Sequence, residues 1–97
     1  MYAIEYAAEA FDDLESLRKF EQKQIMDAID AQLKYEPHLQ TRNRKRLRPN
    51  NVAKWELRVG KFRVFFDVLA TTKIVQVQAI GYKEGNKLFI HGEEYKL

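Results

Sequence analysis

The stretch VAKWELRVGKFRVFFDV, residues 52–68, decides the fold of this 97-residue chain. Two runs alternate between apolar and polar residues, and the pair between them, Gly60 and Lys61, suits a type II′ turn, in which glycine comes first. The pattern therefore predicts a tight β-hairpin. Its register gives one wholly apolar face, which we assign to the core, by pairing Val59 with Phe62, Leu57 with Val64 and Trp55 with Phe66.

On the other, mostly polar face, the same register pairs Lys54 with Asp67, Glu56 with Phe65 and, next to the turn, Arg58 with Arg63. Directly opposed like charges destabilise a hairpin, so this pair indicates a site for an anion. Two guanidinium groups can clamp a phosphate and stabilise the extra charge of a phosphoryl-transfer transition state. RNA carries its own nucleophile, the 2′-hydroxyl, so such a site needs only charge, in-line geometry and one weak acid or base such as Tyr or His.

Size and composition predict one domain, 1–97, with a core of its own. The absence of cysteine suits a reducing cytoplasm, and no stretch is typical of a targeting segment or a membrane span. Charge is divided unevenly: residues 1–36 have four Lys/Arg against nine Asp/Glu, whereas residues 37–97 have thirteen against five. We therefore expect the second half to meet a polyanion, or an acidic protein, through a basic surface.

The residues before the hairpin predict a strand and two helices. Tyr2, Ile4 and Tyr6 alternate as in a short strand, and apolar residues then recur at helical spacing from Ala7 to Leu17. After a break near Lys19 and Phe20, a second helix runs through Ile25 to Leu33 and ends before Pro37. The resulting αα-hairpin should cover the apolar sheet face with Phe11, Leu14, Ile25 and Ile29.

The remaining residues predict a basic connection and a third strand. Pro37–Asn51 contains two prolines and should be a connection rather than an element. Ile74–Tyr82 should pair with the hairpin so that Val77 faces Phe66 and Ala79 faces Val64, which places Gln76, Gln78 and Tyr82 beside Arg63. The fold class is then α+β, a strand and an αα-hairpin packed on an antiparallel sheet in the order β-α-α-β-β-β.

Other chemistry finds little support in the sequence. The two histidines, His38 and His91, have no metal-ligand spacing, so we expect no metal site and no cofactor. The acidic pairs 12–13 and 93–94 are expected to be solvated, the second of them in a flexible tail. The candidate RNA-binding surface is therefore the basic one, comprising Arg42, Arg44, Lys45, Arg46, Arg48 and Lys61.

Three segments carry a resemblance to a known family: RKRLRPN (44–50), WELRVGKFRVFFDV (55–68) and AIGYKEGNKLFI (79–90). With the order of elements, they resemble the RelE/ParE toxin superfamily, in particular its RelE/StbE-like branch, over nearly the whole chain. The resemblance implies the toxin of a type II toxin–antitoxin pair, neutralised by a cognate antitoxin. RelE-like members cleave messenger RNA on the ribosome without a metal, and ParE-like members act on DNA gyrase.

The resemblance also implies roles for individual residues. Arg63 matches the arginine that contacts the scissile phosphate, and the supporting catalytic positions are matched by Lys54, Arg58 and Lys83. Two positions depart from the pattern, because Glu56 stands where a second lysine is expected and Phe89 falls near a C-terminal tyrosine. The acid or base is left open among Tyr82, His91 and Tyr95. We expect a ribosome-dependent endoribonuclease, with a non-nucleolytic or gyrase-directed toxin as the alternative.

Overall fold

The computed structural model describes all residues 1–97 and contains seven strands and two helices. The strands are β1 (Ala3–Tyr6), β2 (Arg44–Arg46), β3 (Trp55–Val59), β4 (Phe62–Leu69), β5 (Ile74–Glu84), β6 (Lys87–Ile90) and β7 (Glu93–Tyr95), and the helices are α1 (Ala8–Glu15) and α2 (Lys19–Leu33). One sheet has the order β2-β3-β4-β5-β6-β7, and β1 pairs in parallel with β5. The predicted α+β class is confirmed. Neither helix is long and apolar enough to cross a membrane.

The central hairpin has the predicted register and turn. Trp55 pairs with Phe66, Leu57 with Val64 and Arg58 with Arg63. Gly60 has a φ of +58° and Lys61 stays outside the left-handed region, which is the combination that a type II′ turn requires. The hairpin therefore presents its apolar face to the helices and turns Arg58 and Arg63 to the opposite face.

The main core lies between that apolar face and the two helices. Ile25, Ile29 and Leu33 recur every four residues, so they form one buried stripe along α2. On α1 the buried residues are Ala10 and Leu14. The core residues predicted on the sheet are all buried, namely Trp55, Leu57, Phe62, Val64, Phe66 and Val77.

Phe11 was expected in this core and is instead 54% exposed. Successive residues of a helix point about 100° apart, so when Ala10 and Leu14 face the sheet, Phe11 lies to the side. The break between the two helices also lies earlier in the chain than expected: α1 ends at Glu15 and α2 begins at Lys19.

The register predicted for β5, the strand that follows the hairpin, is wrong beyond Val77. Val77 pairs with Phe66 as expected, but Ala79 pairs with Phe65 and Ile80 with Val64, because a β-bulge inserts Gln78 into β5. The bulge reverses the faces of the residues that follow it. Ile80 packs in the main core, whereas Ala79 packs on the opposite face with Phe65.

A second, smaller core lies on the face opposite the helices. It consists of Ala53, Phe65, Ala79, Leu88 and Ile90. The hairpin of β6 and β7 covers this face from one side and the segment that joins β2 to β3 covers it from the other. The sheet is thus buried on both sides near its centre, and Arg63 lies on the same face as this small core.

The basic segment 37–51 is not a simple connection, because Arg44–Arg46 form β2 and pair with β3. Arg44 pairs with Leu57 and Arg46 with Trp55, which turns both toward the helix side, whereas Lys45 pairs with Glu56 on the opposite side. The run of cations is therefore divided between the two faces of the sheet.

Candidate active-site cleft

Arg63 is the one buried charged residue of the protein, with 7% of its surface exposed. Its Nη1 donates hydrogen bonds to the carbonyl oxygens of Gly60 at 2.8 Å and Phe62 at 2.9 Å. Both acceptors belong to the hairpin that carries Arg63, so the tight turn itself fixes the guanidinium. Nε and Nη2 have no protein partner and are not sealed from solvent, which leaves one edge of the group available to a ligand.

The surroundings of Arg63 favour an anion. Burial lowers the pKa of Arg63, the negative charge of Glu56 raises it, and the positive charge of Arg58 lowers it. The desolvated cation beside a second cation has no carboxylate within salt-bridge distance. A phosphate placed here would neutralise charge that the protein leaves uncompensated.

Arg63 opens into a cleft of about 320 Å³. Five cations line the cleft against two acids, and one tyrosine is present: Lys45, Arg58, Arg63, Lys83, Lys96, Glu56, Glu94 and Tyr95. At least one of these side chains comes from each of five strands, β2, β3, β4, β5 and β7. The cleft is therefore formed only when the whole sheet is assembled. Its electrostatics suit a polyanion, and Tyr95 and Glu56 supply groups that can exchange protons.

Gly81 lies opposite Arg63 and in close contact with β6. It is paired with Arg63 across β4 and β5, at the position where the register predicted from the sequence, with Ala79 opposite Val64, would place Ile80. A Cβ at Gly81 would lie 2.5 Å from the carbonyl oxygen of Phe89 and 2.9 Å from Ile90 Cγ1. The close approach of β6 therefore requires glycine, and Lys83 follows two residues later on the same face.

Tyr82 and His91 do not belong to this cleft. Tyr82 pairs with Phe62 and packs against the main core, on the helix side, because the bulge at Gln78 has reversed its face. His91 lies in the turn between β6 and β7, with Nδ1 2.8 Å from Asp13 Oδ1 and Nε2 3.1 Å from Glu9 Oε2. Both residues line a different cavity, of about 390 Å³, beside α1. Their predicted grouping with Arg63 is wrong.

Lys54 is also separate from the cleft that holds Arg63. It lines a cavity of about 250 Å³ with Arg46 and Arg48. Its backbone N–H donates to Asp67 Oδ1 at 2.8 Å, which is the pairing that the hairpin register predicted for these two residues. The structure thus brings Arg58 and Lys83 to Arg63 and leaves Lys54 in a neighbouring cavity.

Two of the predicted RNA-binding cations have contacts within the fold. Arg44 Nη1 donates to the carbonyl oxygens of Gln32 at 3.0 Å and Glu36 at 2.9 Å, so Arg44 holds the C-terminal end of α2. Lys61 Nζ lies 3.9 Å from Glu21 Oε2. Arg42, by contrast, is exposed and lines neither basic cavity.

A family model describes this chain over residues 4–86, namely the ParE toxin of the type II toxin–antitoxin system parDE. The match covers most of the sequence. The chain belongs to the ParE toxin family. It is therefore a toxin of a type II toxin–antitoxin system within the RelE/ParE superfamily, as the sequence motifs indicated.

Solved structures show where the fold of this ParE-family toxin recurs. The RelBE2 toxin–antitoxin complex of Mycobacterium tuberculosis contains a chain that matches with a TM-score of 0.73 and 20% identity, over 84% of this chain and 91% of the other. The archaeal RelE–RelB complex of Pyrococcus horikoshii OT3 matches with a TM-score of 0.63 and 22% identity, over 78% and 88%. At these identities the likeness shows the fold. No curated protein matches the sequence.

Sequence reasoning missed the hairpin that forms the C-terminal side of the toxin's cleft, although it named Tyr95 among the candidate acids or bases. The tail was expected to be flexible, yet Glu93–Tyr95 form β7 and pair with β6. The available signal was the pair His91-Gly92, which forms a two-residue turn with φ values of +54° and +78°. A hairpin inferred from that pair would have brought Tyr95 opposite Leu88 and so to the face of Arg63.

Proposed function

We propose that this toxin is an endoribonuclease that cleaves messenger RNA on the ribosome, with arginine charge stabilising the transition state in place of a metal ion. The single observation that carries the proposal is the guanidinium of Arg63. It is desolvated, fixed by the turn and open to the cleft along one edge. A fixed cation in a partly dry site stabilises developing negative charge more strongly than a mobile surface lysine does.

In the proposed reaction, Arg63 and Arg58 hold the scissile phosphate over the face of the hairpin on which they lie opposite each other. The 2′-hydroxyl of the preceding ribose attacks the phosphorus and loses its proton to Glu56. The bond from phosphorus to the 5′ oxygen breaks, and Tyr95 gives its proton to that oxygen. The products are a 2′,3′-cyclic phosphate and a free 5′-hydroxyl, and the charge of the phosphorane is greatest between these events.

Lys45, Lys83 and Lys96 surround the same cleft and would bind the backbone of the substrate. Their attraction for RNA should weaken with salt, since each phosphate that is neutralised releases counterions. We place the reaction in the cytoplasm, where translated messages are found. A cognate antitoxin would silence the toxin, and both structural relatives were solved as complexes of this kind.

A gyrase-directed toxin is the second candidate, and the observation that favours it is the family model itself, which describes ParE toxins. In that case the basic cleft would bind its target without cleaving RNA. The two candidates differ in what happens to translated messages and to supercoiled DNA after the toxin is produced.

The test is induced expression without antitoxin, with cleavage mapped by primer extension on translated messages and plasmid supercoiling followed in the same cells. We expect new messenger 5′ ends to appear before growth stops, and to disappear when Arg63 is replaced by Ala. Lys73→Ala removes an exposed cation outside the cleft and serves as the control. Toxicity without new messenger 5′ ends, accompanied by loss of negative supercoiling, would reject the ribonuclease hypothesis and support a toxin directed at DNA gyrase.

A further inference from the structure

We propose that the cavity lined by Arg46, Arg48 and Lys54 is a second phosphate subsite, which holds the RNA backbone a few nucleotides from the scissile bond. This subsite extends the proposed function by naming where the substrate continues beyond the cleft that holds Arg63. The cavity measures about 250 Å³, and no acidic residue lines it.

The backbone around this subsite is held by one side chain, that of Asn50. Its Nδ2 donates to the carbonyl oxygens of Arg48 at 2.7 Å and Ala53 at 2.9 Å. Its Oδ1 accepts from the N–H groups of Val52 at 2.7 Å and Ala53 at 3.0 Å. Four hydrogen bonds to one amide fix the loop between β2 and β3, so Arg48 and Lys54 extend from a defined frame.

The cations of the subsite are not neutralised by the protein. Lys23, Lys34 and Lys61 each have a carboxylate within 4.0 Å, whereas Arg48 and Lys54 have none. Their side chains also make no hydrogen bond within the protein. Arg46 lies 5.7 Å from the centre of the Trp55 ring, which orients it without cancelling its charge. Three uncompensated cations around a small cavity suit a phosphate.

The position of the subsite suits the same RNA strand that enters the cleft. Leu47 lines both cavities, so they are neighbours across one side chain. Lys54 and Arg58 are four residues apart along extended chain, which is about 13 Å at roughly 3.3 Å per residue. A single strand can span that distance while its scissile phosphate stays on Arg63. No aromatic side chain lines the subsite, so it offers a base nothing to stack on and favours the backbone.

The subsite is tested by the binding of non-cleavable single-stranded RNA with 2′-O-methyl groups to the purified toxin, measured by fluorescence anisotropy. A dinucleotide, with one internal phosphate, fills only the cleft, whereas a hexanucleotide reaches both sites. The test variant is Arg48→Ala/Lys54→Ala. The matched control is Lys19→Ala/Lys87→Ala, which removes two exposed cations that also lack acidic partners and lie outside both cavities.

We expect the test variant to bind the hexanucleotide about tenfold more weakly and the dinucleotide as the wild type does. The slope of log affinity against log salt should fall by about 0.7, since one phosphate contact is lost and each single-strand phosphate contributes about 0.7. Equal losses for the dinucleotide and the hexanucleotide, or an equal loss in the control, would overturn the subsite.

The outcomes also separate the subsite from the proposed reaction. The oligonucleotide cannot be cleaved, so its binding is independent of the proposed reaction. A toxin that fails to cut messages, but whose test variant shows the length-dependent loss of binding, would support the subsite and reject the ribonuclease hypothesis. A toxin that cuts messages, but whose test variant binds the dinucleotide and the hexanucleotide as the wild type does, would support the ribonuclease hypothesis and reject the subsite. A 2′-deoxy hexanucleotide that binds more tightly than RNA would also overturn the assignment to RNA.

Discussion

The imidazole of His91 bridges the C-terminal hairpin to α1 through Asp13, with His91 Nδ1 2.8 Å from Asp13 Oδ1. The other oxygen of Asp13 accepts the backbone N–H of Ile80 at 2.9 Å, so one carboxylate joins α1, β5 and the turn between β6 and β7. His91 itself adopts a left-handed backbone with a φ of +54°. The same hairpin carries Tyr95 to the cleft on the opposite face of the sheet.

Replacing His91 by Asn should release the C-terminal hairpin from α1 and leave the turn intact. Asn tolerates the left-handed conformation and is favoured before Gly in this type of turn, but its side chain is too short to reach both Asp13 and Glu9. We expect faster hydrogen exchange at the amides of β7 and a loss of about 1 kcal/mol in the free energy of unfolding. Asp12→Asn is the control, because the hydrogen-bond and ion-pair partners of His91 are Asp13 and Glu9 and do not include Asp12. Unchanged exchange in β7 would show that the bridge has no effect.

Trp55→Ala should destabilise the protein by about 3 to 5 kcal/mol. Trp55 is 6% exposed, stacks on Phe66 with ring centres 6.1 Å apart, and lies beneath Arg46. Its removal leaves a large cavity in the main core. The expected loss is a considerable part of the total stability of a domain of this size. Urea unfolding measures the loss, with Phe20→Ala as the control because Phe20 is 65% exposed. Equal midpoints for the two variants would contradict the packing described.

Gly81→Ala should destabilise the protein by about 1 to 3 kcal/mol, because the new methyl group meets the backbone of β6 rather than a flexible side chain. Gly85→Ala is the comparison. There the φ of +59° strains any side chain, but nothing lies within 4 Å of the added Cβ. We therefore expect Gly81→Ala to disturb the chemical shifts of β6 and the small core, and Gly85→Ala to change only its own turn. Shifts confined to the turn in both variants would argue against the close approach of β6.

Tyr6 should reduce stability at alkaline pH. Burial, and secondarily the charge of Asp30, raises its pKa to about 12 from 10.0. The folded protein keeps the phenol protonated where the unfolded chain ionises it, so this stability is present below pH 10 and is lost as the pH rises toward 12. By pH 11, one unit above the ordinary pKa, the loss should be on the order of 1 kcal/mol, since one pKa unit corresponds to about 1.36 kcal/mol. Urea unfolding between pH 8 and 11 should show a flatter decline for Tyr6→Phe, and identical declines would reject the effect.

The hairpin could be predicted from sequence because the alternation on both sides of Gly60, interrupted only at Phe65, admits one register. The third strand could not, since Ala79 and Ile80 are both apolar and alternation continues plausibly with or without an inserted residue. The bulge at Gln78 is decided by tertiary packing, because it buries Ile80 with the helices and Ala79 with Phe65. This one residue determines that Lys83, and not Tyr82, lies on the face of Arg63.

The candidate site was predicted where a single hairpin forms it and not where distant segments meet. The opposition of Arg58 and Arg63 follows from two adjacent strands. The position of Tyr95 in the cleft depends on two further hairpins, so predicting it would have required the complete strand order of the sheet. Arg44 was expected on the RNA because it is a cation in a basic run, but the free carbonyl groups at the end of α2 bind it.

Arg63→Ala should lower cleavage of translated messages by about 10² or more, because the lost charge acts mainly on the phosphorane and less on the ground state. Arg63→Lys keeps the charge but loses the planar fork that is fixed by Gly60 and Phe62, so it should restore only part of the activity. Two opposing effects on stability are expected in Arg63→Ala: relief of repulsion with Arg58 and loss of two hydrogen bonds to the turn. Their sum should be small, which urea unfolding can check before activity is compared. Single-turnover cleavage on stalled ribosomes then separates binding from chemistry. A reduced rate at saturating toxin supports the role in the transition state, whereas a rate that recovers fully at high toxin concentration would limit Arg63 to binding.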